Sequence, residues 1–155
     1  MSITPTSPLP GATMPDLTSP TYTLASDFGP NSHSVQWSVS ALGGTQTGVD
    51  SHTVSKPFTI TIERPANFRQ LGAVNPTTGV VANVPNNVYV VRTRKGVVPL
   101  AGQNARNAII ETRIVVPAGS DTADLPNLEA GLSAHIGFLS NISTSLGGTV
   151  ESGSI

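Results

Sequence analysis

The sequence predicts an α+β fold: an N-terminal β-hairpin and an antiparallel β-sheet, with C-terminal α-helices covering one face of that sheet. Three observations predict it. Several stretches alternate apolar and polar residues with a period of two, as VYVVRTRKGVV and AIIETRIVVP do. Near the C-terminal end, Leu125, Leu128, Leu132, Ile136, Leu139, Ile142 and Leu146 follow one another at steps of three and four, which is a helical stripe. Every lysine and arginine falls between Lys56 and Arg113, inside the strand region.

A chain of 155 residues is most simply one domain. The expected division is an arm over residues 1–20 and a single domain over 21–155, with the sheet in 21–119 and the helices in 121–147. The arm holds five prolines and many Ser and Thr, too few apolar residues for a core and too few N–H donors for a ladder. It is expected to be disordered, or to order against a neighbour. From Thr21, TYTLAS, a turn at Asp27–Asn31 and SHSVQWSVSAL read as a hairpin. Val35, Trp37 and Val39 take one face, and Gln36, Ser38 and Ser40 the other.

KPFTITIER, Lys56 to Arg64, is the next strand, with Phe58, Ile60 and Ile62 opposed to Thr59, Thr61 and Glu63. A long loop then leads to the central hairpin. Its first strand sets Val88, Val90, Arg92 and Arg94 against Tyr89, Val91, Thr93 and Lys95. Its second sets Ile109, Glu111, Arg113 and Val115 against Ile110, Thr112, Ile114 and Val116. Pro117 and Gly119 stop that strand. In the helical part Asp121 or Asp124 can cap the start, with Pro126 in the first turn, and Gly147-Gly148 can end it. Gly131 and Gly137 each weaken the helix by about 1 kcal/mol relative to Ala, which makes a break into two helices natural. The apolar stripe needs a sheet to lie on.

Charged residues are only 11% of the chain, against about 25% in an average domain, which points to surface buried in an oligomer. The net charge of −1 hides a segregation. Residues 1–55 carry three Asp and nothing basic. Residues 56–113 are net +6, and residues 114–155 carry four acidic groups and nothing basic. Six of the eight cations are arginine, the better phosphate fork. The expected partner is a polyanion. No leader and no membrane span are expected, and the absence of cysteine removes disulfides and thiolate metal sites.

Enzyme signatures are nearly absent. His33, His52 and His135 stand apart from one another and from ligands at metal spacing, and no Gly-rich phosphate loop occurs. No catalytic residue, metal or cofactor is expected. The functional weight falls on the arginines of the sheet, with Thr59, Thr61 and Thr93 supplying hydroxyls nearby and Tyr89 an aromatic for unstacked bases. Arg69 and Arg106 sit in connections, where long side chains reach a partner.

The order of these elements resembles the coat (capsid) proteins of single-stranded RNA bacteriophages, the levivirus-like family. KPFTITIER, VYVVRTRKGVV, AIIETRIVVP and the helix DLPNLEAGLSAHIGFLSNI carry the likeness, which covers roughly residues 21–146. It is one of layout, since that family has no short diagnostic motif. The resemblance implies an intertwined homodimer whose two sheets join edge to edge into one continuous sheet, clasped by the partner's helices. It implies dimers assembling, in the cytoplasm of a bacterial host, into an icosahedral virion shell around single-stranded phage RNA. A phage maturation protein and an operator hairpin that represses replicase translation also belong to what it implies. Thr59, Thr61, Glu111 and Arg113 fall where the family's RNA-facing residues lie, and strand parity adds Arg92 and Arg94. The Pro-rich start and the long 66–87 loop depart from the family pattern.

The other readings are a β-sandwich binding module of a fibre or adhesin, recognising carbohydrate or protein, and a cellular single-strand nucleic-acid protein. A sandwich needs neither the helical stripe nor pooled basic residues. The cellular nucleic-acid reading wants more aromatic platforms than four Phe, two Tyr and one Trp supply.

Overall fold

In the computed structural model, which describes residues 3–155, six strands lie side by side in chain order as one antiparallel meander. They are β1 (Leu9–Pro10), β2 (Thr18–Asp27), β3 (Ser34–Thr45), β4 (Phe58–Glu63), β5 (Asn86–Val97) and β6 (Arg106–Pro117). Helices α1 (Ser120–Ala123), α2 (Leu125–Asn141) and α3 (Ser143–Ser152) follow. The described residues form one sheet, not the two packed sheets of a sandwich.

The pattern of two explains why these stretches pair as they do. β-Branched Ile, Val and Thr suit a pleated surface, and alternation lets each strand commit one face. Residues directly opposite across neighbouring strands point the same way. Register therefore gathers Gln36, Ser38, Thr59, Thr61, Arg92, Arg94, Glu111 and Arg113 on one face. Val35, Trp37, Ile60, Ile62, Val91, Thr93 and Ile110 take the other. The sheet has a polar side and an apolar side.

The expected arm of residues 1–20 does not stay outside the sheet. Its first two residues lie outside the described residues, but Leu9 pairs with Tyr22, Pro10 with Thr21, and β2 itself starts at Thr18. Gly11 N–H donates to Pro20 O at 2.8 Å, and Leu24 N–H to Ser7 Oγ at 2.9 Å. Proline is compatible with this because β1 is an edge, where a missing donor breaks no inner ladder.

The helical part differs from expectation in three ways. The break falls at Ile142 rather than at Gly131 or Gly137. Gly147 and Gly148 lie inside α3, which ends at Gly153 in the left-handed region (φ 71°). Gly147 serves close approach instead: a Cβ there would stand 2.8 Å from Pro15 Cδ, where the arm passes under α3. Asp124 occupies the N-cap position of α2, yet its side chain makes no cap bond and accepts from Asn127 Nδ2 at 2.7 Å.

Within one chain α1 is the helix that touches the sheet, at β6, and α2 lies beside the β6 edge instead of across the strands. Helix α2 packs on α1 and α3, and no residue of α2 is buried. An open groove of about 520 Å³ separates it from β6, with the strand's edge from Ile110 to Ile114, Glu111 and Arg113 included, on one wall and Leu128, Leu132 and Leu139 on the other. Among the described residues the buried hydrophobics are Val39, Val116 and Ala118. The chain exposes 10719 Å². A folded monomer of 15.9 kDa is expected to expose about 7,400 Å². An excess of roughly 3,300 Å² is typical of one part of an obligate assembly rather than a finished unit.

Candidate nucleic-acid interface

The polar face is built as rows running across the strands. In the central row Gln36 Nε2 donates to Asp27 Oδ2 at 2.8 Å, and Thr61 Oγ1 donates to Gln36 Oε1 at 2.9 Å. In the same register Arg92 Nε donates to Glu111 Oε2 at 2.7 Å. The next row sets Ser38, Thr59, Arg94 and Ile109 abreast, and the one on the far side sets Ser34, Glu63, Val90 and Arg113 abreast. Thr59, Thr61, Arg92, Arg94, Glu111 and Arg113, the six residues expected to meet RNA, therefore share one face.

They are not equally accessible. Thr61 is 2% exposed and Thr59 5% exposed. The Thr61 hydroxyl is spent on Gln36 and acts inside the row. The arginines and Glu111 are half-buried to exposed. Such guanidiniums make charge-assisted bonds to phosphate oxygens, the contacts that supply salt-dependent affinity.

Two residues expected nearby stand elsewhere. Thr93 lies on the apolar face opposite Ile60 and Ile110. Tyr89 lies there too, its ring 6.4 Å from that of Phe68, so it offers no platform beside the arginines. Both follow from strand parity, since odd and even residues of β5 part company. Lys95 shares the apolar face. Its ammonium sits 4.7 Å from the centre of the Phe58 ring and donates to Asp50 O at 2.7 Å. Desolvation there pushes its pKa down, against the opposing pull of Asp50.

Arg69 joins the polar face from the β4–β5 connection, sharing an opening with Arg113, Asn67 and Asn86. Asp27, Gln36 and Ser38 extend the polar surface onto the first hairpin and were not among the expected site residues. The alternation of Gln36 and Ser38 against Trp37 was the available signal. Among the described residues no cluster of His, Asp and Glu is placed to hold a metal.

The chain is similar over 99% of its length, at 45% sequence identity and a TM-score of 0.96, to the whole chain of the virus-like particle of bacteriophage ESE020. It is also similar to the virus-like particle of Beihai levi-like virus 32. That second likeness covers 86% of this chain and 88% of the other, at 18% identity and a TM-score of 0.52, and concerns the fold alone. No protein-family model and no curated protein matches the chain.

Proposed function

The chain belongs to the coat proteins of levi-like bacteriophages, and from that premise we propose that it pairs through β6 and α2 and packages single-stranded RNA against its polar face. It is a structural protein of the virion, not an enzyme. The pairing reading is supported by β6, a twelve-residue strand left as an open edge with Ile109 and Ile110 59% and 67% exposed. A long, apolar, unpaired edge is a template for a second strand. A second β6 laid against it would carry the sheet across two chains and bring the partner's helices over the apolar groove. Such dimers are the building blocks of the shell.

The observation that supports the RNA reading is the shared face on which register sets Arg92, Arg94 and Arg113, with Arg113 at the β6 end of that face also lining the groove beside α2. In a closed shell of such dimers the helix side faces out and the arginine side faces the lumen. An operator hairpin, where the phage uses one to repress replicase translation, would be held on the same surface.

Size-exclusion chromatography of the protein expressed alone in bacteria tests the reading, with absorbance followed at 260 and 280 nm. The expected result is a particle peak rich in 260 nm absorbance that loses it to RNase after disassembly. The double variant Arg92→Ala/Arg94→Ala should still form particles with less RNA. Unchanged RNA content in that variant would remove the proposed face.

A further inference from the structure

Beyond the six strand residues, the polar face ends in an opening of about 550 Å³ beneath the β4–β5 connection, walled by Asn67, Arg69, Asn86 and Arg113 and floored by Val88 and Val115. That volume falls within the range of small-ligand sites. Arg113 and Arg69 approach it from different elements, a strand and a loop. Among the described residues neither has a carboxylate within ion-pair distance. Glu63, which shares a register row with Arg113, is occupied by Asn31 Nδ2 at 2.7 Å and lies 3.3 Å from His33 Nε2.

Arg69 would be an unremarkable loop cation were its backbone free. It is clamped instead. The Arg69 N–H donates to Asn87 Oδ1 at 2.9 Å, and Asn87 Nδ2 donates to Arg69 O at 3.0 Å. Asn87 is a buried residue of β5, so a rigid strand fixes both backbone polar groups of one loop residue. Such a clamp fixes the Arg69 backbone to the start of β5, from where Arg69 lines the opening it shares with Arg113, and lowers the ordering cost of a two-guanidinium contact.

We propose that this opening is a nucleotide subsite: one phosphodiester lies between Arg69 and Arg113, and its base or ribose rests on Val88 and Val115 within reach of the Asn67 and Asn86 amides. Two forks suit the charge and the several oxygens of one phosphate, and the mixed amide and valine lining suits an unstacked base. The inference rests on the reading of the polar face as the RNA side.

The test is binding of a labelled single-stranded oligoribonucleotide to the purified protein over a range of salt concentrations. Arg69→Gln should weaken binding about tenfold, the loss of one charge-assisted contact, and reduce the log–log salt slope by about 0.7. Arg69→Lys should keep the slope and still lose affinity, because an ammonium cannot fork. Arg94→Gln serves as a control for the rest of the face, and circular dichroism confirms folding of each variant. An unchanged slope in Arg69→Gln alongside a reduced one in Arg94→Gln would overturn the subsite and leave the RNA face standing. Absence of RNA binding by the unaltered protein would overturn both.

Discussion

Arg92 Nε donates to Glu111 Oε2 at 2.7 Å across the β5–β6 pair, so one strand arginine of the polar face is partly neutralised by its own chain. Both side chains are partly exposed, and a pair of that kind contributes at most about 1 kcal/mol to stability. Its larger effect is on charge. Glu111→Gln should free Arg92 for phosphate and steepen the salt dependence of RNA binding by about 0.7 in log–log slope. Filter binding at several salt concentrations checks this, and an unaltered slope would mean that Arg92 never reaches the RNA.

Thr61 gives the opposite expectation. Its hydroxyl is buried and bonded to Gln36 Oε1, so Thr61→Val should cost about 1–3 kcal/mol through the acceptor left unpaired. Packaged RNA should not change. Urea unfolding and the 260/280 nm ratio of particles measure the two separately; a stable variant that loses RNA would restore Thr61 as a direct contact.

Acid should loosen the first hairpin. The Gln36 side chain and, after it, the Phe28 N–H both donate to Asp27 and hold its carboxyl below the usual value. The native carboxylate then binds a proton less readily than the unfolded one. Its stabilisation is complete above the unfolded value near 3.9 and is lost as pH falls through the lower native value. Urea midpoints from pH 6 to pH 2 should fall less steeply in Asp27→Asn than in the unaltered chain. Identical slopes would remove Asp27 from the acid limb.

The groove between β6 and α2 should be sensitive to charge. Leu132 lines it and is 38% exposed in a lone chain. Leu132→Glu should abolish particles in light scattering and, because pairing is linked to folding, lower the thermal midpoint followed by circular dichroism. Particles formed at wild-type yield would show that this groove is not an interface.

Much of this fold was legible because alternation is a local signal. Parity within single strands was enough to put Arg92 beside Arg94, and Glu111 beside Arg113, on a common side, and pairing then merged the sides. Burial was not legible. Thr59 and Thr61 look like free hydroxyls in sequence, but they sit mid-sheet, Thr61 between Gln36 and Arg92 and Thr59 between Ser38 and Arg94, which only the register reveals. The Leu9–Pro10 strand was hidden by proline, whose cost depends on whether the strand is an edge. Gly147-Gly148 reads as a stop in sequence, because a glycine that ends a helix and one that admits a crossing segment look alike until Pro15 is seen beside Gly147.

So few hydrophobic side chains are fully enclosed within one chain that, on the proposed pairing, folding and association become linked events. The apparent melting temperature of such a chain rises with protomer concentration, because mass action supplies stability that its own interior does not. Early in synthesis, when copies are scarce, each chain is at its most vulnerable to proteases, and it becomes durable only as its numbers grow. Dilution, before heat or denaturant, is the gentlest way to take it apart.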